Sequence, residues 1–96
     1  MRPTNESPLG EVIRRMMEKY DLTEGLLNER ITELWHSTVS EAVSNRTRHI
    51  RFSSGILTIG LNSSVLSHEL SMMREDLMNE LNNKLESPVI QEIRIQ

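Results

Sequence analysis

The sequence predicts an α+β fold in the order α-α-β-β-α-β, a small three-stranded mixed sheet with helices packed on one face. Three observations predict it. Two long N-terminal stretches repeat their apolar residues at helical spacing. Near residue 46 that rhythm gives way to a two-residue alternation interrupted by a Gly-containing turn. A further helical stripe then separates this alternating segment from a last one at the C-terminal end.

Ser7-Pro8 opens the first helix, a capping hydroxyl ahead of a proline whose missing N–H is harmless at the first helical position. Leu9, Val12, Ile13, Met16, Met17 and Tyr20 form its apolar stripe, with Glu11, Arg14, Arg15, Glu18 and Lys19 opposite. Asp21 to Gly25 makes the break. The second helix, from about Gly25, carries Leu27, Ile31, Leu34, Trp35, Val39, Ala42 and Val43 and is expected to end at Asn45. Ser37, Thr38 and Ser40 are weak helix formers, and a loosening is expected there.

From Thr47 to Phe52, Arg48, Ile50 and Phe52 alternate with Thr47, His49 and Arg51. Ser53-Ser54-Gly55 is a turn signal, and Ile56 to Leu61 is rich in β-branched residues, so the two segments read as a hairpin. Asn62-Ser63-Ser64 offers caps for one long helix carrying Leu66, Leu70, Met73, Leu77, Leu81 and Leu85 on a single face. Ser87-Pro88 stops it. Val89 to Gln96 closes as a strand, with Val89, Ile93 and Ile95 on one face and Glu92, Arg94 and Gln96 on the other. A helical crossover between strands implies that the last strand runs parallel to the second.

Ninety-six residues make one domain. Residues 1–7 read as a flexible N-terminal lead-in and 8–96 as the domain. Apolar residues at 36% and charges of both signs at 26% argue for a folded chain. The net charge of −3 supplies no global attraction for nucleic acid, so any such contact must come from a local basic patch. The absence of cysteine excludes disulfides and thiolate zinc sites and suits a reducing, cytoplasmic location. No apolar run of about 18 residues exists, and no membrane role is expected.

Catalytic readings fare poorly. His36, His49 and His68 fall on three different elements, and none shows HExxH spacing. The four glycines form neither GxGxxG nor a Walker loop, and no Gly-x-Ser-x-Gly elbow occurs. No enzyme activity, metal or cofactor is expected. Arg46, Arg48 and Arg51 form the densest positive cluster, because no acid lies between Glu41 and Glu69. On a strand, such arginines either contact phosphates or protect a sheet edge from unwanted pairing. Phe52 is the only aromatic on a strand, which leaves no platform for base stacking. Trp35 reads as a core anchor, and Met16, Met17 and Met73 as core filler. Met72 and Met78 fall just off the third-helix stripe, where they either widen the buried face or form an adaptable partner-binding patch.

Several of these residues recur together in one family. Trp35 on a helix, Gly55-Ile56-Leu57-Thr58-Ile59, Asn62-Ser63-Ser64, Leu66…Glu69-Leu70, Asn82 and Val89…Ile93 stand in an order and spacing that resemble the DciA-like family. The wording around Leu61 to Leu66 and Met72 to Glu75 is similar to short stand-alone versions found in Bacteroidetes. The resemblance implies a fold similar to K-homology domains. It also implies a part in loading the replicative helicase DnaB, with contacts to the helicase and to DNA. Single-stranded or forked DNA bound through Arg46, Arg48 and Arg51 is the expectation that follows. The rival expectation is a protein-interaction module, as a homodimer or with another chain, with no nucleic-acid role.

Overall fold

The computed structural model describes residues 8–20 and 24–96, without the side chains of Pro8, Leu9, Met16, Lys19, Tyr20 and Glu24. The expected Ser7 cap and residues 21–23 of the expected break lie outside them. Helix α1 (Pro8–Tyr20) rests Val12, Ile13 and Met17, all half-buried, against the core. Its other side is a solvated ion network in which Arg14 meets Glu11 at 2.7 Å and Glu18 at 2.8 Å. The hydrogen bond from Arg14 holds the Glu11 carboxyl below the usual carboxylate range.

The second helical stretch is two helices, α2 (Glu24–Thr38) and α3 (Glu41–Asn45). The interruption falls where loosening was expected. Ser40 leaves helical dihedrals (φ −67°, ψ 162°) and accepts the Val43 amide on its side-chain oxygen at 3.3 Å, so the weak helix former becomes a cap.

Strands β1 (Thr47–Ser53) and β2 (Ile56–Leu61) pair antiparallel, and β3 (Glu92–Ile95) joins β2 in parallel, giving the order β1-β2-β3. This is the mixed sheet that the sequence predicts. Ser54 and Gly55 both adopt positive φ (50° and 82°), the two-residue turn whose twist matches a hairpin. The Gly55 carbonyl then accepts the amides of Gln91 and Glu92, tying the start of β3 to the turn.

The long third helix predicted from the leucine stripe is also divided, into α4 (Ser64–Ser71) and α5 (Arg74–Leu85). The amides of Met72 and Met73 bond three residues back, to Glu69 and Leu70, in place of four. The Ser71 hydroxyl also donates to the Ser67 carbonyl at 2.7 Å, a bond that bends helices. Leu70, Leu77, Leu81 and Leu85 still reach the core, but Met73 turns outward to 48% exposure and is not core filler. At the other end Glu86 takes a left-handed conformation (φ 61°) and Ser87 closes back onto the Asn82 carbonyl, which ends α5 before Pro88.

Residues Val89 to Gln91 were expected to belong to the last strand, yet β3 begins only at Glu92. The reason is Asn82. Its side-chain amide donates to the Ile90 carbonyl and its oxygen accepts the Ile90 amide, both at 2.9 Å, so these backbone groups are taken by α5 before a strand can use them. Val89 and Ile90 are nonetheless buried.

Leu27, Ile31 and Trp35 from α2, Leu70 from α4, and Leu77, Leu81 and Leu85 from α5 meet Phe52, Leu57, Ile59 and Ile93 in one core. Burial of a side chain of this size contributes about 1.5–3 kcal/mol. Trp35 is fully buried, as its place on the stripe predicts. Helices thus cover one face of the sheet.

Candidate nucleic-acid interface

The register of the sheet decides which side chains share its uncovered face. Phe52 opposes Leu57 and Ile50 opposes Ile59, all toward the helices. The alternate residues therefore point away: His49, Arg51 and Ser53 on β1, Ile56, Thr58 and Gly60 on β2, Glu92 and Arg94 on β3. Arg51 pairs with Thr58 and Thr58 with Arg94, so two exposed arginines lie in one row with a threonine between them. Their backbones are about 10 Å apart, two strand spacings.

Arg48 reaches the surface near them through an irregularity. Strict alternation would put it with Ile50 and Phe52, and Thr47 with His49 and Arg51. The pairing instead jumps from Thr47↔Leu61 to His49↔Gly60, inserting one extra residue, a β-bulge. Thr47 is thereby turned inward, where its hydroxyl accepts the Trp35 indole N–H at 3.1 Å and donates to the Val43 carbonyl at 2.9 Å. A buried indole needs an acceptor, and Thr47 supplies it. Arg48, freed from the core face, is exposed.

Arg46 stands apart at the end of α3. Its backbone carbonyl accepts the Asn62 amide at 2.7 Å and its guanidinium donates to the Asn62 carbonyl at 3.4 Å, so it sits at the mouth of the hairpin rather than on its face. Between α2 and the bulge lies a shallow depression of about 190 Å³ lined by Thr32, His36, Thr47, Arg48, His49 and Ile50. On the far edge, Asn28 accepts the Phe52 amide at 3.1 Å, so β1 is partly capped by α2.

Charge is segregated. Among the described residues Glu92 is the only acid on a strand, and it is engaged by Arg94 at 2.8 Å. The remaining described acids sit on helices or, for Glu86, at a helix end. A chain of net charge −3 therefore presents a positive sheet face.

The two methionines beside the leucine stripe differ in exposure. Met72 projects from the α4–α5 turn at 71% exposure, whereas Met78 packs against the core and lines a cleft of about 260 Å³ with Arg74, Glu75, Glu92 and Ile93. Two further exposed large apolar side chains are Met73, next to it in the chain, and Val65, 69% exposed at the start of α4 about two turns earlier. His36, His49 and His68 are all exposed, and His36 Nδ1 lies 2.6 Å from the Ser44 hydroxyl.

Sequence reasoning missed Arg94. Its alternation with Ile93 and Ile95 was legible, and so was a parallel β2–β3 pair, but only the register puts it level with Arg51. Among the described residues no helix is long and apolar enough to cross a membrane.

No curated protein and no solved structure matches the chain. The family model described as "Dna[CI] antecedent, DciA" matches residues 8–95, a span that contains every strand and helix described above. This chain belongs to the DciA family.

Proposed function

We propose that this chain is a non-enzymatic adaptor that holds single-stranded or forked DNA on its open sheet face and a protein partner, the replicative helicase DnaB, on its helical side. Membership of the DciA family supports a helicase-loader-like role in general. The observation that carries the DNA part is the row of Arg51 and Arg94 on a sheet face with a single acid, with Arg48 exposed at the bulge near it. Arginine contacts with phosphates position a strand without reading its sequence. Each contact releases counterions, at about 0.7 per phosphate for single strands. Arg46, at the hairpin mouth, extends the track.

The test is binding of labelled single-stranded and forked DNA at low and moderate salt, comparing wild type with a triple Arg46→Ala, Arg48→Ala, Arg51→Ala variant. The variant should bind at least about tenfold more weakly, with a salt slope shallower by roughly 2. Equal binding by both, or none by either, eliminates the DNA claim.

A second reading is a protein-interaction module, as a homodimer or with another chain, that binds no nucleic acid. The exposed Val65, Met72 and Met73 on and just after α4 favour it, since large apolar side chains left on a surface mark partner sites when they group together. Co-precipitation with DnaB, lost on Val65→Ser with Met72→Ser, supports a helicase contact there. Sedimentation across concentrations detects self-association.

A further inference from the structure

We infer that His49 is a stacking platform for one unpaired nucleobase. The inference rests on the open face being a nucleic-acid surface and names what that face takes besides phosphate. The bulge pairs His49 with Gly60 and leaves Arg48 as the extra residue just before it. Gly60 is buried, and a β-carbon built on it would collide with Cε1, Nδ1 and Nε2 of the His49 ring. These three atoms would be met at nearly equal depth, as for a ring lying flat over the glycine. One face of the imidazole is therefore seated on backbone that only glycine leaves bare.

His49 as a whole is exposed, so the opposite face of the ring is turned to solvent. A ring already held against backbone loses little freedom when a base settles on it. Arg48 precedes it in the bulge and Arg51 follows on the open face, which sets a cation on either side of it along the strand. Histidine is one of the side chains on which splayed bases stack. Bases within a duplex are stacked on each other and have no free face, so this platform selects single strands. Phe52, the only Phe, Tyr or Trp on a strand, is buried in the core and plays no part, so the platform not expected from the sequence is supplied by an imidazole instead.

The experiment compares wild type, His49→Ala and His49→Phe at one fixed pH on three probes: an oligothymidylate, the same strand with abasic sites, and a duplex. Wild type should bind the base-bearing strand about five- to tenfold more tightly than the abasic one. His49→Ala should lose that difference while keeping the salt slope and the duplex affinity. His49→Phe should restore or increase it. Equal binding of base-bearing and abasic strands by wild type overturns the inference, as does a His49→Ala variant that binds the base-bearing strand as wild type does. If wild type binds DNA salt-dependently in either case, only the platform fails. If it binds none, the DNA reading fails with it.

Discussion

Both outer strands of the sheet are entered through a side-chain clamp, and the two clamps work in opposite senses. At β3 the clamp reaches out from a helix: Asn82 takes the amide and carbonyl of Ile90 and delays the strand by three residues. The strand beyond it keeps its regular alternation. At β1 the clamp is a residue of the strand itself, Thr47, pulled inward to the Trp35 indole and the Val43 carbonyl. The strand absorbs that by adding a residue, and Arg48 comes out on the surface. One clamp only anchors. The other converts a core requirement into surface chemistry.

Breaking the β3 clamp should have the largest effect. Asn82→Ala strips the partners from two backbone groups beside buried Val89 and Ile90. An expected loss of about 2–4 kcal/mol follows from leaving them unsatisfied, or roughly 10–25 °C in Tm for a domain of this size. Urea denaturation measures it, and DNA affinity of the folded fraction should be unchanged. A loss below about 0.5 kcal/mol would mean that Asn82 does not hold the strand entry.

The β1 clamp should be weaker in stability and stronger in consequence. Thr47→Val keeps the shape and β-branching but leaves the fully buried indole N–H without its acceptor, for a loss of about 1–3 kcal/mol. Backbone NMR shifts at Arg48 and His49 should move, and single-stranded DNA binding should fall about threefold or more as Arg48 loses its fixed place. Unchanged shifts at both positions would separate the bulge from the indole.

Two smaller perturbations belong to neither entrance and calibrate the comparison. Ser54 holds φ 50° in the hairpin turn, a region asparagine tolerates better. Ser54→Asn should add about 0.5 kcal/mol, with no shift in the bulge resonances. Acidification should act on α1. The Glu11 carboxyl is held below its ordinary value of 4.5 by Arg14, so its contribution is present above that pH and is lost as pH falls through the lowered value. Amide exchange in the first turns of α1 should quicken there, while protection at Ile90 and Gly60 is retained.

The order of elements, the hairpin, the parallel return of β3 and most of the core were legible from the chain, because hydrophobic period and turn chemistry are local. Leu57, Ile59, Leu77 and Leu81 lie where their spacing puts them. Two helices were read as continuous where they are broken. A stripe such as Leu70…Leu77 keeps its spacing across a bend, so periodicity does not reveal one. The candidate face was half legible: the positive cluster on the hairpin could be read, but not which of its members face the same way.

What the sequence determined by itself is therefore the set of faces each element owns. What tertiary structure decided is how those faces are phased. An indole that must find an acceptor shifts one strand by a residue, and a parallel register sets Arg94 level with Arg51 across β2. Both are hydrogen-bond requirements between segments distant in the chain, and no local pattern records them.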